Sequence, residues 1–298
     1  MTTLTRTPTS PTAIAGLQDA LVRGLSAPAE LGSRMPFGPE TADEKPAAPG
    51  YFAKSKSLAA SFASDAGVGR THNEDALLCR PDLGLFCVAD GMGGFNAGEV
   101  ASHLVIETLE KRLANPSVMD LKSYESLVLS AVNEANAAVL RTSARRPECL
   151  GMGTTLTLLW HTPLGALYAH IGDSRLYRIQ AGQISRLTRD HVIEILPEVL
   201  RGRFNNGDGA RKGILTRAIG AEQRVEVDFQ WLDAIHPCQY LICSDGLTDA
   251  MSDEDISNLL SDLGSDGAGH AAQRLVDRAL DCGATDNVSA LVVDLGSP

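Results

Sequence analysis

The sequence predicts an α+β domain built on antiparallel sheet, and three observations predict it. Strand-like runs arrive in blocks rather than in strict βαβ alternation. Two neighbouring stretches with apolar residues at helical spacing precede the main block. The Ala181-Gly182 turn then joins two runs as a hairpin. In chain order, residues 83–90 (LGLFCVAD) form a short apolar run ending in an acid. Residues 97–114 read as a helix through Val100, Leu104, Leu109 and Leu113. Residues 123–143 read as a second, with Leu127, Val128, Ala131, Val132, Ala135, Val139 and Leu140 on one stripe. Strands follow at 154–161, 166–171, 175–180 and 184–187, then at 225–232, 239–244 and 288–295, with helices at 252–263 and 269–282.

Two regions interrupt this texture. Residues 1–57 are rich in Thr, Ser, Pro and Ala, with Pro8, Pro11, Pro28, Pro36, Pro39, Pro46 and Pro49, and read as a mostly disordered N-terminal extension ahead of a domain at 58–298. Within it, residues 12–25 carry Ile14, Leu17, Leu21 and Leu25 at the spacing of one short amphipathic helix. The second is the polar insertion at 190–213, long enough to be either functional or mobile.

Composition narrows the function. The 298 residues are 44% hydrophobic and 21% charged, with no apolar run of membrane-spanning length and no secretory leader pattern, which leads to the expectation of a cytoplasmic protein without a membrane span. The net charge of −11 argues against binding a nucleic-acid backbone. It also means that phosphorylated substrates need local cations, since the overall field repels anions. The six cysteines are scattered and read as reduced, structural thiols. No Cys begins a C-x5-R loop, and H-E-x-x-H and P-loop signatures are missing from the sequence.

The most informative pattern is the placement of acids. Strand-like runs begin or finish at Asp90 (VADGMGG), Asp173 (HIGDSR), Asp245 (LICSDGL) and Asp286 (ATDNVSALVV), each beside glycine or a small polar residue. One such acid is an ordinary turn residue. Several converging carboxylates are tolerable only when cations neutralise them, and oxygen-only ligation favours Mg2+ or Mn2+. Two such ions form a general device for phosphoester hydrolysis. Gly91, Gly93 and Gly94 follow Asp90 and let a backbone carbonyl reach a metal. Arg70, ahead of Glu74-Asp75, offers a fork for two phosphate oxygens.

These residues fall in stretches that resemble the metal-dependent Ser/Thr protein phosphatases of type 2C, bacterial branch. In order they are R-T-H-N-E-D-A (70–76), V-A-D-G-M-G-G (88–94), A-G-E-V-A-S (97–102), G-M-G-T-T-L (151–156), I-G-D-S-R-L-Y (171–177), L-T-R-D-H (187–191), L-T-R-A-I-G (215–220), C-S-D-G-L-T-D (243–249) and D-N-V-S-A-L-V-V (286–293). The resemblance implies a four-layer sandwich, two central antiparallel sheets flanked by helices, with the metal centre at one end. It implies that Asp90 bridges two core ions, that the Gly91 carbonyl binds one of them, and that Asp245 and Asp286 complete the other's shell. Glu74 and Asp75 then act through water, and Asp173 with Asp245 holds a third, weaker ion. Arg70 matches the phosphate-binding arginine, and 190–213 falls where the family has its substrate-contacting flap. The implied reaction is hydrolysis of phosphoserine or phosphothreonine in proteins by a bridging hydroxide. The implied partners are phosphoprotein substrates, an opposing Ser/Thr kinase and a forkhead-associated scaffold of a secretion system.

The sequence departs from that pattern in places. Met92 stands where animal members carry a His proposed as general acid, so the leaving-group proton comes from elsewhere. Phe95-Asn96 and Lys212-Gly213-Ile214 also differ from the usual residues. His191 and the Thr154-Thr155 pair read as structural. The alternative readings are a catalytically silent, phosphatase-like binding module and a hydrolase of small phosphoesters on the same fold.

Overall fold

The computed structural model describes residues 51–54, 58–94, 97–116, 120–180, 182–194, 213–233, 238–263 and 269–295. The helix expected at 12–25, the bulk of the expected extension and most of the 190–213 insertion lie outside the described residues. The first sheet has the order β1 (Tyr51–Lys54), β2 (Leu58–Asp65), β14 (Val288–Leu295), β13 (Cys238–Cys243), β8 (Arg175–Gln180) and β9 (Gln183–Arg186). The second runs β12 (Asp228–Leu232), β7 (Gly165–Ile171), β6 (Leu156–Thr162), β4 (Leu85–Met92) and β3 (Asp75–Arg80), with β5 (Gly153–Thr154) paired to β4. Every pairing in both is antiparallel. A small ribbon of β10 (Val192–Glu194) and β11 (Gly213–Leu215) closes the base of the insertion.

Side-chain alternation explains the layering. In β13, Tyr240 and Ile242 enter one core with Leu176, Leu291, Val293, Phe86, Val88, Leu159 and Tyr168, drawn from both sheets. Leu241 and Cys243 point the other way, into a core shared with Leu247, Ile256, Leu260, Leu275 and Val276 on helices. Strands buried on both faces read as continuous apolar runs, so β13 and β14 were visible in the sequence. The outer helices of that second core are α3 (Asp245–Ala250), α4 (Asp253–Leu263) and α5 (Ala271–Asp281). On the opposite side α1 (Ala97–Leu113) packs on β3 and β4, and α2 (Leu121–Arg145) packs on α1. Asp120 caps α2, its Oδ1 accepting the Ser123 N–H at 2.7 Å.

The buried face of α1 differs from the expected stripe. Gly98, Ala101, Ser102, Val105, Ile106, Leu109 and Leu113 are buried, whereas Val100 and Leu104 are only half-buried. Small residues at the start of the helix let it approach β4 closely, and that contact sets the phase more strongly than the larger apolar residues do. The expected strand at 154–161 is likewise divided into β5 and β6, because Thr155 turns its hydroxyl toward the backbone of Asp90. β1 lies within the range read as the extension.

Candidate metal centre

Topology brings the acids together. Asp75 opens β3 and pairs in register with Asp90 near the end of β4. Asp173 follows the end of β7, Asp245 follows β13, and Asp286 precedes β14. Because neighbouring strands are antiparallel, these starts and ends all fall at the same edge of the two sheets.

Hydrogen bonds hold the backbone of Asp90 and Glu74 and the carboxylate of Asp75. The Asp90 N–H donates to Thr155 Oγ1 at 2.9 Å, and its carbonyl accepts from Thr155 N at 2.9 Å and Thr154 Oγ1 at 2.8 Å. Gly91 lies against Gly98 of α1, and a Cβ on Gly91 would meet the Gly98 carbonyl oxygen at 2.2 Å. Ser102 Oγ and Gly91 N both donate to the Glu74 carbonyl, at 2.6 and 3.1 Å. Asn287 ties the 66–74 loop to β14. Its Oδ1 accepts the Glu74 N–H at 2.8 Å, and its Nδ2 donates to the carbonyls of Ala66 and His72 at 3.0 and 2.9 Å. Ser244 Oγ donates to Asp75 Oδ2 at 2.8 Å.

Electrostatics follow from the crowding. Burial, then the negative charges of Asp75, Asp245, Asp173 and Asp286, push the Asp90 carboxyl well above the usual range. Burial together with Asp173, Asp249, Asp286 and Asp75 raises Asp245 to about 7. Asp75 is raised to about 6, chiefly by burial, with Asp286 and Glu74 adding to it and the Ser289 and Ser244 hydroxyls opposing. Asp173 rises to about 6 through burial, with Asp190 and Asp249 adding to it. Glu74 is raised by burial, against the pull of Arg70. Arg70 Nη2 donates to Asp286 Oδ2 at 2.9 Å at the exposed rim.

Among the described residues, no three His, Cys, Asp or Glu side chains close on one another tightly enough to form a ligand set by themselves. The donor chemistry nonetheless fits hard divalent ions. It is oxygen-only, anionic and mutually repulsive, and the buried Asp75 Oδ1 has no hydrogen-bond partner.

The structure thus brings Glu74, Asp75, Asp90, Gly91, Asp173, Asp245 and Asp286 to one edge, with Arg70 beside Asp286. Sequence reasoning passed over Asp249, whose charge acts on both Asp245 and Asp173. The signal was available, since Asp245 and Asp249 stand four residues apart on one helix face. It also passed over Ser102, Ser244 and Asn287, which carry no charge and acquire their roles only through tertiary contacts.

Comparison with known proteins agrees with this arrangement. The profile of the family described as Protein phosphatase 2C matches residues 68–282. The chain is 34% identical over 235 residues to serine/threonine protein phosphatase PstP of Mycobacterium tuberculosis, covering 78% of this chain but only 44% of PstP, so it spans less than half of that relative. It is 32% identical over 248 residues to serine/threonine phosphatase Stp of Listeria welshimeri, covering 79% of this chain and 95% of Stp. The solved PstP catalytic domain in complex with two manganese ions superposes with a TM-score of 0.67 at 33% identity, over 80% of this chain and 99% of its own. PppA, described as a key regulatory component of the type VI secretion system in Pseudomonas aeruginosa, gives a TM-score of 0.67 at 34% identity, over 79% of this chain and 96% of its own. With the profile spanning most of the domain and the acids gathered at one sheet edge, the chain belongs to the protein phosphatase 2C family of metal-dependent serine/threonine phosphatases.

Proposed function

We propose that this chain removes phosphate from phosphoserine and phosphothreonine in proteins, with Mn2+ or Mg2+ as cofactor. The observation that carries the reading is the gathering of Asp75, Asp90, Asp173, Asp245 and Asp286 at one sheet edge, close enough to raise one another's pKa. Asp90, the Gly91 carbonyl, Asp245 and Asp286 would hold two core ions, and Asp173 with Asp245 a weaker third. Glu74 and Asp75 would act on them through water. When bound, such a pair of ions lowers the pKa of water and offsets phosphate charge.

The protein's own groups do the rest. Arg70 extends from the rim, and its guanidinium fork can donate to two phosphate oxygens while one nitrogen stays on Asp286. That contact orients the fork toward the acids. Met92 carries no titratable proton, so it takes no part in proton transfer to the leaving oxygen. On this reading residues 58–298, together with β1 on the edge of the first sheet, form the catalytic domain, and the residues ahead of β1 an extension. An opposing Ser/Thr kinase is the expected counterpart in the cytoplasm. A forkhead-associated scaffold of a secretion system is a candidate partner, and the likeness to PppA supports the secretion-system context.

The test is phosphate release from a phosphothreonine peptide by EDTA-stripped protein, with and without Mn2+, beside Asp245→Asn. The wild type should release phosphate only with Mn2+. Asp245→Asn should lose at least about a hundredfold in turnover, the scale of removing one central stabilising group. Asp173→Asn should turn over more slowly while retaining two tightly bound ions. No release from folded wild type with any divalent ion would favour a silent binding module. Release from small phosphoesters but never from peptides would favour the other hydrolase.

A further inference from the structure

His191 lies in the L-T-R-D-H stretch, at the root of the insertion, and it is buried. Its backbone N–H donates to the Gly172 carbonyl at 2.7 Å, and the Gly172 N–H donates to His191 Nδ1 at 3.0 Å. The two bonds grip, from both sides, the residue immediately before Asp173. Because Nδ1 accepts, the ring proton belongs on Nε2, which lies 3.2 Å from Asp228 Oδ2 and 3.2 Å from Arg217 Nη1. Arg217 holds Asp228 in turn, Nη1 to Oδ1 at 2.8 Å. The His170 ring is 4.8 Å from that of His191, with its Nε2 3.1 Å from the Arg189 carbonyl.

The backbone at Gly172 needs such a grip. Its φ is +112°, a conformation that side chains rarely adopt, and a Cβ there would meet Thr155 Cγ2 at 2.6 Å. Beyond Asp173, Ser174 Oγ is bonded to Thr155 Oγ1 at 2.7 Å, and Thr155 Oγ1 accepts the Asp90 N–H. The Asp173 turn is therefore fixed to Asp90 on one side and to His191 on the other.

We infer that His191 is a positioning residue for Asp173. It fixes the Gly172 backbone from which the carboxylate projects, and so sets the affinity of the cation subsite that Asp173 serves. The inference rests on the metal-dependent reading above and assigns His191 no contact with substrate or ion. Groups that orient a ligand without touching the metal are commonly worth about 10- to 100-fold in metal affinity.

The test is calorimetric Mn2+ titration of the metal-stripped full chain, with Asp173→Asn marking the loss of the weak site. His191→Ala should weaken the weak site at least about tenfold and leave the tight sites unchanged. His191→Asn should restore it, because the Asn Oδ1 can stand where Nδ1 accepts the Gly172 N–H. His191→Gln should not, since its longer amide reaches toward Asp228 in place of Nε2. Should the alanine variant fail to fold by circular dichroism, the Asn and Gln pair decides, both being neutral and close to imidazole in size. Wild-type weak-site affinity in His191→Ala, or rescue by Gln and not by Asn, overturns the positioning role alone. A wild type that takes up no Mn2+ overturns the metal-dependent reading and the inference together.

Discussion

Arg70 is the one cation paired with the acid cluster among the described residues, 2.9 Å from Asp286 and half exposed. Two roles are open to such a residue: it either neutralises the carboxylates or takes substrate phosphate. They differ in what Arg70→Ala does. A charge-assisted hydrogen bond to phosphate is worth about 1.5–3 kcal/mol, so its loss should raise the peptide KM about 10- to 100-fold. Mn2+ stoichiometry should stay the same, because the guanidinium is no ligand. An unchanged KM with altered Mn2+ affinity would make Arg70 a counter-ion only. The residue scale is also where the sequence was most legible. Asp90, Asp173, Asp245 and Asp286 stood out because each stands at the start or the end of an apolar run, a local signal. The Ser244 hydroxyl donating to Asp75, and the amide of Asn287 spanning to Glu74, join segments far apart in sequence. Those links leave no local trace.

Elements differ in legibility for reasons that packing supplies. β2 escaped notice although it lies beside the central β14. Its sequence, LAASFASD, is rich in Ala and Ser because α5 packs close against it, the Ser61 hydroxyl accepting the Ala272 N–H at 3.3 Å. Close approach requires small residues, and small residues weaken the hydrophobic signal that marks a strand. α3 has six residues, too few for a periodicity to show. The same close-approach device joins α1 to the metal-site strand. A Cβ on Gly98 would lie 2.6 Å from the Gly91 carbonyl carbon and 2.7 Å from Met92 N, both rigid backbone. Gly98→Ala must therefore push α1 away from β4, at a cost typical of overpacking, about 1–3 kcal/mol. At about 2–4 °C per kcal/mol for a domain of this size, Tm should fall by several degrees, and Mn2+ affinity should fall with it as Asp90 and Gly91 shift. Gly94 is the control, since a Cβ there meets nothing within 4 Å. Gly94→Ala should change stability by no more than about 0.5 kcal/mol. Equal thermal shifts in the two variants would remove the backbone contact as the cause.

Across the whole molecule, the edge acids and the buried histidine pull stability in opposite directions with pH. An aspartate in the unfolded chain titrates near 3.9. With Asp75 and Asp173 raised to about 6 and Asp245 to about 7, the folded state binds more protons than the unfolded one from about pH 4 up to about pH 7. Stability of the metal-free protein therefore falls as pH rises through that window. His170 acts the other way. Burial, then the neighbouring His191, lowers it to about 4, so between about pH 6.5 and 4 the unfolded state binds the extra proton and stability falls as pH drops. His170→Gln should thus improve the acid limb of a Tm-against-pH curve and leave the limb above pH 7 where it was. Divalent ions change the acid term and leave the histidine term alone, since they bind carboxylates and must displace whatever protons those carboxylates hold. Mn2+ at a hundredfold excess over its Kd should add about 2.7 kcal/mol. At a fixed Mn2+ concentration the Tm gain should be larger at pH 8, where the three acids are ionised, than at pH 5.5, where protons compete for them. In Asp245→Asn the difference between the two pH values should shrink, because the acid with the highest pKa of the three no longer titrates. A Tm gain equal at both pH values in the wild type would mean that the ions bind elsewhere than at these carboxylates.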